Sequence, residues 1–217
     1  MSNRVTKALI FLAVILFGIF FTREVEASNS AKIGGTFVNS TDSTFSASLD
    51  YSIGNFKTSY DYVYKESNNV KKIDKFNSVN KYNYDLNDKS YAFGIFSFDS
   101  DAFRSSGDRT VLGAGYGYNL LENDRWHITS ETSLAFMTND MVDEAILREN
   151  IAVKYKLSEK IQFTNKILYE SGTETYLRNE TDISYLLGNN LTVGLSNTYT
   201  EDPVDNNVLR FNVGVKW

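Results

Sequence analysis

The 217-residue chain contains no cysteine, one proline (Pro203) and one histidine (His127). With no cysteine there is no disulfide framework, and an exported chain of this kind has to draw its stability from hydrogen-bonded backbone and burial. A lipid anchor on a cysteine is excluded for the same reason. One proline leaves almost every backbone N–H free to enter a ladder, and Pro203 is expected in a turn. Basic residues are the minority, 22 against 27 acidic, for a net charge of −5. A phosphate-binding surface needs the opposite excess, so nucleic acid is not an expected partner.

What the chain does have is aromatic rings, fourteen tyrosines and fifteen phenylalanines, the composition of a protein built from strands. The one long apolar run is N-terminal. Arg4 and Lys7 precede Ala8 to Phe21, and Val25-Glu26-Ala27 fits a small-x-small cleavage site, so residues 1–27 read as a cleaved signal peptide. The run is shorter than the roughly 20 residues of a spanning helix. Residues 28–217 then form the mature domain, with a net charge of −6 once three basic and two acidic residues are removed.

Period-two alternation fills the mature chain in about twelve segments separated by turn-rich punctuation. Clear examples are Phe45, Ala47, Leu49, Tyr51; Leu112, Ala114, Tyr116, Tyr118; and Ala145, Leu147, Ile151, Val153, Tyr155. Segments around 31–38, 76–84 and 91–98 alternate less cleanly. Many runs reach about ten residues, the length of a tilted membrane-crossing strand. Aromatics near segment ends, such as Tyr82, Tyr84, Trp126, Tyr155, Tyr169 and Tyr199, suit an interfacial girdle. These features predict an all-β fold, an antiparallel transmembrane β-barrel of about twelve strands. Alternation alone does not say which face is inside, so a soluble periplasmic barrel with an apolar interior is the inverted reading; such barrels usually close with eight strands.

The final segment, Leu209, Phe211, Val213, Val215 and Trp217, resembles the C-terminal assembly signal of bacterial outer-membrane barrels. In the centre, Tyr91-Ala92-Phe93-Gly94, Asp101-Ala102-Phe103, Arg109 and Gly113-Ala114-Gly115-Tyr116-Gly117-Tyr118 resemble the salt-induced outer-membrane protein family of Gram-negative bacteria. That resemblance implies a barrel in the outer membrane, with outer-membrane lipid, lipopolysaccharide and the barrel-assembly machinery as partners, and it brings no catalytic residue or cofactor.

If apolar positions face lipid, the opposite face places Glu131, Arg148, Lys154, Lys166, Arg178, Glu180, Asp182 and Arg210 in the lumen, together with Asp61, Asn150 and Thr198. About twelve strands give a backbone diameter near 24 Å, so side chains decide what passes. The leading expectation is envelope adaptation or passive passage of small solutes or ions through that charged lumen. A plugged interaction barrel displaying acidic loops is the first rival. Tight links at 53–55, 85–88, 121–125, 157–160 and 188–190 are expected to alternate with longer outer ones at 65–74, 99–109, 138–144, 170–175 and 201–207, and the outer set carries most of the loop acid. No spacing matches a calcium loop. A hydrolase would have to use His127, with Glu131 two pleats away on the same face, but counting strands puts His127 beside an inner turn. Gly113, Gly115 and Gly117 bare one face of a strand and suit a smooth lining or sharp curvature rather than a phosphate loop, because no helix follows.

Overall fold

The computed structural model describes residues 30–39, 42–67, 70–102, 107–173, 175–188, 190–202 and 204–216. Residues 1–27 and Trp217, which carry the expected signal peptide and the last residue of the assembly signal, lie outside them. Twelve strands follow one another: β1 (Ser30–Asn39), β2 (Asp42–Ile53), β3 (Phe56–Ser67), β4 (Val70–Asp85), β5 (Ser90–Asp101), β6 (Arg109–Glu122), β7 (Trp126–Thr138), β8 (Asp143–Lys156), β9 (Ile161–Ser171), β10 (Thr175–Leu187), β11 (Leu191–Asp202) and β12 (Val204–Lys216). Each pairs antiparallel with its sequence neighbours. The barrel closes where β1 meets β12, from Ser30 opposite Lys216 to Gly35 opposite Phe211.

Alternation in the sequence becomes two distinct faces. Leu112, Leu134 and Leu209 are 63%, 71% and 59% exposed, while Val111, Ala135 and Val208, one position away on the same strands, are buried. The large apolar side chains therefore point out of the barrel and their neighbours point in. That arrangement suits acyl chains, and it removes the soluble barrel with an apolar interior. Leu209, Phe211, Val213 and Val215 all stand on the outer wall. The weakly alternating segments are complete strands, β1, β4 and β5, because ladder bonds on both sides hold them whatever their pattern.

One turn device recurs at the end that carries both termini. Asn87 Oδ1 accepts from the N–H groups of Lys89 and Ser90, Asn123 Oδ1 from those of Arg125 and Trp126, and Ser158 Oγ from those of Lys160 and Ile161. An Asn or Ser that bonds its own backbone two and three residues on closes a tight reversal without glycine. The two remaining turns at this end use left-handed glycines, Gly54 at φ 52° and Gly188 at φ 70°.

At the opposite end the expected long links are largely absent. β3 and β4 run on to Ser67 and Val70, and β11 and β12 to Asp202 and Val204, so ladder pairing zips most of each proposed loop into a hairpin. Only 102–108 remains a longer connection. Asp99 and Asp101 consequently belong to the wall of β5 rather than to a loop, and Asp101 meets Lys75 at 2.8 Å. Strands of up to 16 residues exceed what the apolar band needs, and the surplus projects beyond it as sheet.

Candidate functional site: the lumen

The inward residues gather into three networks at different heights. Nearest the outer end, Glu170 of β9 is 1% exposed and receives two guanidinium groups, Arg109 from β6 and Arg148 from β8, the latter at 2.6 Å. The Arg109 guanidinium also lies 5.2 Å from the centre of the Tyr176 ring. Beside it Val111, Ala135, Met137 and Ile146 form an apolar cluster on the inner wall.

At mid-height, Arg178 of β10 pairs with Glu180 on its own strand and reaches Asp61 of β3 at 3.7 Å. β3 and β10 are not neighbours in the sheet, so this contact crosses the bore. Arg210 of β12 donates through Nη2 to Thr198 and helps line the same space. The result is a cavity of about 60 Å3 bounded by Asp61, Lys75, Asp99, Tyr176, Arg178 and Arg210 among others, large enough for a water or a small ion.

Toward the inner end, Glu131 of β7 accepts from Lys81 of β4 and from the Tyr91 hydroxyl of β5, and Asn150 of β8 adds a third donor at 3.3 Å. The Lys81 ammonium sits 4.2 Å from the centre of the Phe93 ring. The glycines of β6 make room for this cluster. A Cβ on Gly115 would lie 2.7 Å from Phe93 Cζ, and one on Gly117 would strike the Tyr91 ring, so two aromatic side chains lie over the bare stripe. The stripe is thus neither a smooth lining nor a loop.

Of the residues expected in the lumen, Glu131, Arg148, Arg178, Glu180 and Arg210 enter these networks. Lys154, Lys166 and Asp182 share their face, in register at Lys154 with His127, at Lys166 with Glu180 and at Asp182 with Ser196. Lys81 and Glu170 are not among the sequence-predicted lumen residues, and Tyr91 and Arg109 enter there only through the family resemblance, although each of the four occupies an inward position of its strand. His127 meets Glu122 at 3.5 Å beside the inner turn, whereas Glu131 is engaged by Lys81, so the structure does not bring that pair together. Among the described residues no group of three or more His, Cys, Asp or Glu could hold a metal ion. Glu144 on the rim instead accepts from the backbone N–H and the hydroxyl of Thr173, both at 2.6 Å.

Known structures share this architecture. The NanC porin is similar over 87% of this chain and 98% of its own, with a TM-score of 0.59 at 12% identity. The KdgM porin in complex with disordered oligogalacturonate is similar over 88% and 98%, with a TM-score of 0.53 at 15% identity. At such identities the likeness establishes architecture, and with the apolar exterior it places the protein in the bacterial outer membrane. No curated protein matches the chain. A family model described as "Protein of unknown function, DUF481" matches residues 25–217, and the chain belongs to that family.

Proposed function

We propose that the protein is a passive conduit for small solutes or ions, without covalent chemistry, whose selectivity resides in the ion pairs that cross its bore. The contact of Arg178 with Asp61 carries this reading, since it crosses the bore beside the lumenal cavity and uses one charge of each sign. A permeating ion replaces one member of that pair as it passes, so neither anions nor cations meet an uncompensated barrier. Arg109, Arg148 and Arg178 are each held by a carboxylate of the same chain, which makes the bore less suited to polyanions than a row of unpaired arginines. Lipopolysaccharide at the rim and the assembly machinery at the last strand are the partners this location supplies. The resemblance to the salt-induced family adds envelope adaptation as the setting.

Planar-bilayer recording of detergent-folded protein tests the proposal. Discrete unitary steps are expected, and Arg178→Ala should raise their amplitude by opening the constriction. Absence of steps from protein whose gel migration is heat-modifiable overturns the conduit. The same three networks would then support the second reading, a plugged barrel that acts through its rim.

A further inference from the structure

The outer wall is not uniformly apolar. On β7, β8, β9, β10 and β11 the outward position at or beside the strand midpoint is Thr132, Glu149, Asn165, Thr181 and Asn197. Elsewhere at this height the wall presents Phe96 on β5, Tyr116 on β6 and Phe211 on β12, all exposed, and on β4 a buried Ser78. Glu149 stands exposed between Leu147 and Ile151, six residues from Asp143 and seven from Lys156. That is about 15 Å above Tyr155 for a rise of 3.3 Å per residue at a tilt near 40°. Glu149 has no hydrogen-bond or ion-pair partner among the described residues.

The neighbouring strands carry the complement. Asn165 Nδ2 donates to Asn179 Oδ1 at 2.8 Å and to Thr181 Oγ1 at 2.9 Å. Both partners act as acceptors in these bonds, so the Asn179 amide hydrogens and the Thr181 hydroxyl hydrogen remain as donors on the wall. A carboxylate lacking donors lies on β8 and donors lacking an acceptor lie on β10, one strand either side of β9. A two-fold axis along the membrane normal beside β9 sets β8 of one barrel against β10 of the other at the same height, and does so twice.

We propose that the β7–β11 wall binds a second copy of this chain, two barrels standing side by side with Glu149 of each hydrogen-bonded to the Asn179 and Thr181 region of the other. The interface is independent of whether the bore conducts. Because the chain has no cysteine, engineered thiols report it without background. Glu149→Cys and Thr181→Cys proteins, mixed and folded into phosphatidylcholine vesicles, should form a disulfide-linked dimer on mild oxidation, well above the yield from either alone or from Phe96→Cys on the opposite wall. Equal yields from all mixtures overturn the proposal. Light scattering of the unmodified barrel in detergent gives a second readout that requires no cysteine variant to fold. A dimeric mass is expected, with Glu149→Leu raising the dissociation constant about tenfold through loss of bonds to a charged acceptor. A single-barrel mass, or a dimer that Glu149→Leu leaves unchanged, overturns it.

Discussion

The two halves of the barrel wall solve different problems with the same backbone. On β2–β6 the outside is aromatic and aliphatic apart from Thr58, Ser78 and Asn80, with Tyr60, Phe76 and Phe98 following one another across adjacent strands at centroid distances of 6.5 and 6.4 Å, and the inside of β6 is stripped to glycine beneath Tyr91 and Phe93. On β7–β11 the outside is interrupted at mid-height by hydroxyl, amide and carboxylate groups, and the inside carries Arg148 and Arg178 with Glu170 and Glu180. The first half is finished against lipid by its own side chains. The second leaves hydrogen-bonding capacity pointing outward, which lipid cannot meet.

The sharpest way to break that contrast is to put a charge on each wall. Phe96→Lys, at the middle of β5, is expected to cost about 2–4 kcal/mol in the unfolding free energy measured by urea titration in vesicles. Thr132→Lys, at the middle of β7, faces Glu149 directly across the ladder, and the new ion pair should hold the cost to about 1 kcal/mol. Equal penalties would mean that the polar sector gives a charge no shelter.

A smaller effect distinguishes the inside of the wall from the outside. Gly115 faces the lumen and Gly94 the lipid on the adjoining strand. Added carbon at Gly115 meets Ser133 Cβ at 2.5 Å, and at Gly94 it meets nothing within 4 Å. Gly115→Ala should therefore destabilise by about 1–3 kcal/mol through overpacking, seen as a lower urea midpoint. Gly94→Ala should be neutral or slightly stabilising, because it restricts the unfolded chain without a clash. Destabilisation by both would locate the strain in the ladder rather than in the rings of Tyr91 and Phe93.

Period-two reading made the strands and the facing of Arg148, Arg178 and Glu180 legible, because a strand's side chains have only two directions. It could not reveal that Lys81 reaches Glu131 or that Arg178 reaches Asp61. Those contacts join strands that are not neighbours, and they depend on stagger and closure, which alternation does not encode. The length of the outer links was misread for a related reason. Polar residues such as Lys71 or Asp205 signal a loop by composition, yet they pair as sheet above the apolar band, where both faces are free to be polar. A signal for the polar wall was present in the chain. Apolar alternation skips Ser130 and Thr132 on β7, Glu149 on β8, Asn165 on β9, Asn179 and Thr181 on β10 and Asn197 on β11. Charge is therefore not confined to one face, and the skips fall together only once register places those strands side by side.

The smallest expected effect concerns hydrogen bonds alone, since each wall holds a set. Thr58 donates to Asn80 Oδ1 at 2.9 Å on the β3–β4 side, and the Thr58 side chain is buried. Asn165 donates to Asn179 and Thr181 on a half-buried stretch of the β9–β10 side. Thr58→Val leaves a shielded acceptor unpaired and should cost about 1 kcal/mol. Asn165→Leu also breaks its bonds, but bonds of this kind in a membrane average only about 0.6 kcal/mol, and the leucine gains contact with lipid in return. The unfolding free energy of the isolated barrel should accordingly rise by about 1 kcal/mol with Asn165→Leu and fall by as much with Thr58→Val. A gain in both would make the Thr58 bond as dispensable as those of Asn165, and a loss in both would give the polar sector a structural duty within a single barrel.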